Sequence, residues 1–262
     1  MNSTSSSKVV LNVENLHMTY NAELFKGSSL KDVFVRRVTF QGVRSNTLHV
    51  LRGVSFTLCE GDIVGVLGVN GSGKTTLCRL ISGILSPVSG HATVNGECRS
   101  IFNTTVGVLP ELTGRENASL LIKFIFPKLS LREQDEILRD ALLFSELNEF
   151  LDIPFQNYSK GMQARLCLSI ISSRPSDLLI LDEVFDGADL FFQEKIRNRI
   201  TDVIKNSGAT ILVSHTLDQI QTVCNKVLVL DDGKVQYFGD VDKGIKAYRF
   251  LDGGLASFRG EL

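Results

Sequence analysis

The chain has 262 residues, of which 43% are hydrophobic, and its 28 lysines and arginines almost balance its 29 aspartates and glutamates. This length and apolar content can build one large domain or two small ones that share a core, and a formal net charge of -1 gives no electrostatic reason to expect a nucleic-acid partner. The longest apolar runs, such as LLIKFIF at 120–126, are too short to span a bilayer.

The first residues, MNSTSSSK, lack the apolar segment of a secretory signal. We therefore expect a cytosolic protein that reaches a membrane only through a partner. The cysteines have no C-x-x-C spacing, and we interpret them as reduced, buried thiols. They are Cys59, Cys78, Cys98, Cys167 and Cys224.

Two segments alternate apolar and polar residues and predict antiparallel strands, while three apolar, β-branched runs predict buried parallel strands. The alternating segments are 9–16 and 50–58, and the apolar runs are 62–68, 178–183 and 209–215. A closing hairpin is predicted over 226–240, with its turn at Asp232-Gly233.

Residues from about 113 to 172 contain no run typical of a strand and predict an inserted helical subdomain. Two capping-box sequences, TGRE at 113–116 and SLRE at 130–133, open periodic apolar segments within it. The whole chain, 1–262, is therefore predicted to be one α/β domain. Its parallel-sheet core carries an antiparallel β subdomain and the helical subdomain, and an insert, 21–46, separates the first two strands.

The sequence GVNGSGKTT follows a predicted buried strand and opens a helix-forming segment, which is the context of a phosphate-binding Walker A loop. Backbone N–H groups at such a helix start cradle a β-phosphate, Lys74 neutralises the β- and γ-phosphate charge, and the Thr75 hydroxyl helps to ligate Mg²⁺. The predicted nucleotide-binding residues here are Gly68, Asn70, Gly71, Ser72, Gly73, Lys74, Thr75 and Thr76.

The run LLILDE is typical of a Walker B strand. It places Asp182 to hold Mg²⁺ through water and Glu183 to polarise the attacking water. His215 ends the strand TILVSH and is then predicted to sense the γ-phosphate. The alternative is a polar pair and a histidine that merely end core strands.

A second stretch suited to phosphate, NYSKGMQ at 157–163, lies between these motifs. This order of motifs resembles the nucleotide-binding domain of ABC transporters, a P-loop NTPase fold, and YSKGM is similar to the family signature LSGGQ. The resemblance implies ATP and Mg²⁺ as cofactors and a homodimer in which Ser159 and Gly161 contact the ATP of the second copy. It also implies that Asp189 communicates across the interface and that Tyr20 stacks on adenine.

Three stretches sharpen the resemblance: ELTGREN at 111–117, the segment 144–166 and the segment 182–195. They resemble the ATPases that export O-antigen, capsule and teichoic acid. The resemblance covers Val9 to about Phe250, and the chain is expected to lack the carbohydrate-recognising C-terminal domain of some O-antigen members. It implies an integral-membrane permease as partner, a lipid-linked glycan as cargo, and a peripheral position at the cytoplasmic face of the inner membrane.

The sequence also departs from the family pattern. Lys160 and Met162 differ from the usual signature, Asp186 is unusual, and Leu109 stands where the family places a glutamine or histidine. That substitution leaves open a nucleotide-dependent regulatory clamp with little hydrolysis. Export of a lipid or a drug is the other alternative. A soluble ABC protein of translation or DNA repair would normally carry two cassettes or a long coiled coil, and neither is present.

The insert carries an apolar stripe at helical spacing, which favours packing on the domain's own strands. The other interpretation places it against the membrane subunit or lipid headgroups, with Arg36 and Arg37 facing anionic groups. The stripe consists of Leu30, Val33, Phe34 and Val38.

Overall fold

The computed structural model describes residues 8–21, 47–101, 107–182, 190–214 and 216–253. Several predicted features lie outside these residues. They are the insert between the first two strands, Glu183, Asp186, Asp189 and His215.

Two sheets form the framework of the described residues. The smaller is antiparallel with strand order β2-β1-β4, and the larger has the order β5-β6-β7-β3-β8-β9, in which β9 alone is antiparallel. The strands are β1 (Val9–Asn21), β2 (Thr47–Cys59), β3 (Ile63–Leu67), β4 (Ser89–Val94), β5 (Cys98–Ile101), β6 (Leu178–Asp182), β7 (Ala209–Val213), β8 (Lys226–Asp231) and β9 (Lys234–Gly239).

The predicted strands are confirmed, and both N-terminal strands are longer than their alternating segments indicated. The strands β4 and β5 were not predicted. The sequence of β4, SGHATV, lacks a buried face because no residue in it is fully buried. The strand β5 has four residues and lies at the edge of the larger sheet. Short edge strands carry too little hydrophobic pattern to be recognised.

The helices are α1 (Lys74–Ile81), α2 (Gly114–Ile125), α3 (Leu131–Ser145), α4 (Lys160–Ile171), α5 (Leu190–Asn206), α6 (Leu217–Val223) and α7 (Val241–Gly253), with 3₁₀ turns at Asn148–Asp152 and Phe155–Asn157. None of these helices combines the length and apolar character that crossing a membrane requires, as far as the described residues go.

The segment predicted to be helical contains α2, α3 and α4, and both capping boxes are present. The Thr113 hydroxyl accepts a hydrogen bond from the Glu116 N–H, and the Glu116 carboxylate accepts one from the Thr113 N–H at 2.9 Å. Hydrogen bonds donated by Thr113 hold the pKa of Glu116 below its usual value. These helices share a buried apolar cluster of their own, which includes Ala118, Ile122, Leu166 and Ile170.

The hairpin between β8 and β9 turns where the sequence predicted. Asp232 and Gly233 both have positive φ, at 45° and 72°, which is the pattern of a type I′ turn. The Gly233 carbonyl accepts a hydrogen bond from the Arg52 N–H at 2.8 Å, so the hairpin also joins the antiparallel sheet to the parallel one.

The parallel strands place their carboxyl ends at one edge of the larger sheet. Val66 in β3 and Asp182 in β6 pair with the same residue of β7, Val213. The loop that leaves β3 and the carboxylate that ends β6 are therefore at the same level. In open α/β sheets this edge is where ligands bind.

Candidate functional site

The loop after β3 can be formed only by a chain with glycine at its first position. A Cβ atom at Gly68 would lie 2.2 Å from the Leu230 carbonyl oxygen and 2.5 Å from Ser72 Oγ. The loop ends at Gly73, whose φ of 104° is in the left-handed region, and helix α1 begins directly after it. The first backbone N–H groups of α1 are thereby directed toward the loop, as anion binding requires.

The side chain of Lys74 is hydrogen-bonded to the backbone of this loop. Its side chain is buried, and Nζ donates hydrogen bonds to the carbonyl oxygens of Gly68 at 2.7 Å and Val69 at 3.2 Å. A buried ammonium group is costly unless it is paired or hydrogen-bonded. These bonds hold a positive charge at the helix start, where an anionic ligand would complete its neutralisation.

Ser72 supports the assignment of a phosphate site. Its residue is 2% exposed, and its hydroxyl oxygen has no hydrogen-bond partner among the described residues. Buried polar groups are nearly always hydrogen-bonded, so this hydroxyl is left for a ligand with an oxygen that accepts. The loop, the helix start, Lys74 and Ser72 together fit a phosphate group.

A pocket of about 400 Å³ opens beside the loop. It brings Tyr20 together with the loop residues, as expected for an aromatic ring that stacks on a base. Its lining consists of Tyr20, Leu48, Val50, Asn70, Gly71, Gly73, Lys74, Thr75 and Thr76.

Leu48 and Val50 are pocket residues that the sequence reasoning missed. Tyr20 pairs with Leu48 across β1 and β2, and Leu48 is 58% exposed. Two positions apart on β2, Leu48 and Val50 share one face of the strand. That spacing was the signal in the sequence from which the two pocket residues could have been found. Their side chains extend the apolar wall of the pocket that Tyr20 begins.

Asp182 ends β6 at the same sheet edge and is 6% exposed. Thr75, predicted as its partner in holding Mg²⁺, lines the pocket. A hydroxyl and a carboxylate are oxygen ligands of the kind that Mg²⁺ prefers. Within the described part of the chain, no group of three or more His, Cys, Asp or Glu residues could hold a metal ion.

A buried thiol lies beneath the site. Burial raises the pKa of Cys78 far above its usual range, the negative charge of Asp182 raises it further, and Lys74 opposes the shift. The thiol is thus held in its protonated form.

All five cysteines are free, as the sequence predicted, and Cys78, Cys167 and Cys224 are buried. The prediction of burial is wrong for Cys59 and Cys98, which are only partly buried because they lie at a strand end and in an edge strand.

The second phosphate-like stretch lies elsewhere. Ser159 is the N-cap of α4, where its Oγ accepts a hydrogen bond from the Met162 N–H at 3.2 Å, and it is exposed. Neither Ser159 nor Gly161 is among the residues that line the pocket beside Lys74. An exposed helix start can bind an anionic ligand.

Leu109 lies in the turn before α2, and its side chain is 48% exposed. An apolar side chain cannot ligate a metal or position water. Leu109 therefore cannot do what the glutamine or histidine of the family pattern would do at this position. Three further predicted site residues lie outside the described part of the chain: Glu183, Asp189 and His215.

Several known proteins are similar to this chain in sequence. A model of the family described as ABC transporter matches residues 51–186. The chain is 34% identical over 242 residues to the O-antigen export system ATP-binding protein RfbB of Klebsiella pneumoniae, covering 92% of this chain and 97% of that protein. It is 32% identical over 240 residues to the teichoic acids export ATP-binding protein TagH of Staphylococcus haemolyticus, covering 92% and 88%.

Two solved structures have a similar fold. A dimeric, post-hydrolysis structure of the ATP-binding cassette MJ0796 bound to ADP and phosphate gives a TM-score of 0.67 at 19% identity, covering 88% of this chain and 98% of that one. An ATP-binding subunit of an ABC transporter gives 0.67 at 24% identity, covering 95% of each. The predicted fold class, a parallel-sheet core with an antiparallel β subdomain and a helical subdomain, is confirmed.

Proposed function

The chain belongs to the ABC transporter family, and we propose that it is the ATP-hydrolysing subunit of an exporter that moves a lipid-linked cell-envelope glycan across the inner membrane. The observation that carries this proposal is a phosphate loop and a buried carboxylate at one sheet edge, in a chain that matches glycan-export ATP-binding proteins over nearly its whole length.

Each part of the site has a proposed task. The loop from Gly68 to Thr76 and Lys74 bind the β- and γ-phosphates, and Tyr20 stacks on the adenine. Thr75 and Asp182 would hold Mg²⁺, which when bound offsets the charge of the phosphates.

The reaction itself is assigned to two further residues. Glu183 accepts a proton from the attacking water and aligns that water, and His215 contacts the γ-phosphate.

The second half of each site is proposed to come from a second copy of the chain. Ser159 and Gly161 reach the γ-phosphate of the ATP held by the partner, and Asp189 contacts the partner's site. What supports this is that Ser159 caps an exposed helix start away from its own pocket. Symmetric homodimers place the same surface patch on both copies, so two such sites form at once.

The remaining partners follow from the proposed role. An integral-membrane permease carries the lipid-linked glycan and holds this subunit peripherally at the cytoplasmic face of the membrane. No nucleic acid is expected, in line with the net charge of -1. The apolar Leu109, at a position where the family places a glutamine or histidine, is the one ground for the alternative of a regulatory clamp with little hydrolysis, and steady-state phosphate release with and without the permease discriminates the two.

Asp182→Asn tests the proposed function in cells. The substitution keeps the shape of a buried side chain but removes the charge that would hold Mg²⁺, so we expect the glycan to disappear from the cell surface and its lipid-linked form to accumulate inside. Surface glycan is measured by specific staining and the lipid-linked form by mass spectrometry. Asp202→Asn, an exposed carboxylate in α5, is the control and should export normally.

The outcomes separate the alternatives. Surface glycan at the wild-type level in Asp182→Asn cells that have lost ATPase activity would refute glycan export. Accumulation of another lipid, or new sensitivity to a drug, would assign the exporter to that cargo.

Tyr20 gives a prediction on affinity alone. Stacking of a base on an aromatic ring is worth about 1–3 kcal/mol by alanine substitution, so Tyr20→Ala should weaken ATP binding by roughly 5- to 150-fold. Tyr20→Phe keeps the ring and should bind ATP nearly as well as the wild type. Isothermal titration of both variants measures this. Equal dissociation constants for Tyr20→Ala and wild type would mean that the adenine lies elsewhere.

A further inference from the structure

Asn117 is a fully buried amide in α2 that holds the loop preceding this helix. Its Oδ1 accepts a hydrogen bond from the Leu109 N–H at 2.8 Å, and its Nδ2 donates to the Leu109 carbonyl at 2.9 Å. Nδ2 also lies 3.1 Å from the carbonyls of Leu112 and Thr113. One side chain thus fixes both polar groups of the Leu109 residue and the end of the loop that follows.

The loop fixed by Asn117 pairs with the segment that precedes Ser159. The Phe155 N–H donates to the Leu112 carbonyl at 2.8 Å, and the Gln156 N–H donates to the Pro110 carbonyl at 2.9 Å. A third bond runs from the Gly114 N–H to the Ile153 carbonyl at 3.3 Å. We call these two pieces of chain, 109–114 and 153–158, the paired segments.

Tyr158 links the paired segments to Ser159, the next residue. Its ring is 5% exposed and stacks on Phe155 with 5.0 Å between centroids, and its hydroxyl donates to the Phe150 carbonyl at 2.6 Å. The hydroxyl packs directly against Gly114, where a Cβ would be 1.9 Å away. Burial raises the pKa of Tyr158 to about 12.

A continuous set of contacts therefore runs from the peptide of Leu109 through Asn117 and the paired segments to Tyr158. The α4 N-terminus lies at the end of this set, because Ser159 caps that helix. Each link is a hydrogen bond to a backbone group or a close packing contact. In a close-packed interior, a shift of one linked group therefore displaces the next group or breaks the contact between them.

We propose that Asn117 is a positioning residue for Ser159: by fixing the peptide of Leu109 it makes the paired segments one rigid unit, and this unit sets where the α4 N-terminus sits. The inference rests on the proposed function, in which Ser159 acts on the nucleotide of the second copy. Asn117 is fully buried and is not among the residues that line the pocket beside the phosphate loop. Its effect on hydrolysis is through the placement of Ser159, which is why its loss should lower the rate rather than the affinity for ATP.

Gln134 provides a matched control in the same subdomain. Its Nε2 donates to the carbonyls of Phe126 and Leu129 at 3.0 and 3.1 Å, so it braces the loop between α2 and α3 with the same chemistry. Among the described residues, no hydrogen bond connects that loop to the paired segments, although Phe126 shares their buried apolar cluster. If bracing a loop matters only for stability, Asn117→Ala and Gln134→Ala should behave alike.

The test compares Asn117→Ala, Gln134→Ala and wild type, measured well below their melting temperatures. A misplacement of about 1 Å can cost on the order of 100-fold in rate, so kcat of Asn117→Ala should fall by about 10- to 100-fold with the ATP dissociation constant unchanged. The amide protons of Phe155 and Gln156 should also exchange faster with solvent. Gln134→Ala should keep its kcat and the protection of both amides.

Equal kcat values for Asn117→Ala and Gln134→Ala would overturn the inference. Should Asn117→Ala fail to fold, Tyr158→Phe carries the test, because it removes only the hydroxyl that bonds to Phe150: it should lower kcat at constant ATP affinity, and an unchanged kcat would overturn the inference.

Ser159→Arg separates this inference from the proposed function. If Ser159→Arg hydrolyses ATP normally, the proposed role of Ser159 is wrong. If Ser159→Arg is inactive while Asn117→Ala is fully active, only the positioning role is wrong.

Discussion

Glu183→Gln is expected to lower the rate of ATP hydrolysis by about 10²–10⁴-fold, the usual effect of removing a general base, while ATP still binds. Glu183 directly follows Asp182, which ends β6 at the sheet edge where the phosphate loop begins. The amide has nearly the shape of the carboxylate but cannot accept a proton from water. Phosphate release measures the rate, and size-exclusion chromatography should reveal an ATP-bound dimer that no longer comes apart.

Glu149→Gln is the control for this substitution, since Glu149 is an exposed residue in the helical subdomain. It should hydrolyse ATP at the wild-type rate and form no trapped dimer. Undiminished turnover by Glu183→Gln would remove Glu183 from the site and assign the base to another residue.

Lys74→Ala should weaken ATP binding by roughly 10- to 150-fold, because a hydrogen bond to a charged group is worth about 1.5–3 kcal/mol. The buried ammonium group is held by the carbonyls of Gly68 and Val69, and alanine supplies neither the charge nor these donors. Hydrolysis should be lost with the affinity. Titration calorimetry gives the dissociation constant directly.

Lys128→Ala removes an exposed lysine between α2 and α3 and should bind ATP as the wild type does. An unchanged dissociation constant in Lys74→Ala would show that the phosphates do not sit at the loop after β3.

Much of the fold is predictable because its strands carry strong patterns. Runs such as LLILD are buried along their whole length, and the capping boxes at Thr113 and Ser130 locate two helix starts to the residue. The strands β4 and β5 were missed for a physical reason. They are short edge strands whose pairing with β1 and β6 supplies the order that their own sequences do not.

The candidate site also has one part that the sequence predicts and one part that only the fold reveals. The phosphate loop and Asp182 are recognisable because their chemistry depends on neighbours in the chain. Leu48 joins the pocket only because β2 pairs with β1 beside Tyr20. Asn117 could not be identified from the sequence, because all four of its hydrogen bonds go to backbone groups, and the loop that provides them has no side-chain pattern.

Each nucleotide is proposed to be hydrolysed between the Lys74 of one copy and the Ser159 of another. An experiment that mixes two inactive variants tests this shared site most directly. Lys74→Ala and Ser159→Arg chains are each expected to be inactive. In a mixed dimer both lesions fall on one site and leave the other whole, so an equal mixture should recover at most about a quarter of the wild-type ATPase activity, given a symmetric dimer that assembles at random.

Ser159 also caps α4, and losing that cap alone would cost only about 0.5–2 kcal/mol of stability without affecting the rate of the folded protein. Recovery of activity in the mixture, measured as phosphate release against each variant alone, is the result that a shared site predicts. A mixture no more active than the mean of its two components, or a Ser159→Arg chain as active as the wild type, would contradict it.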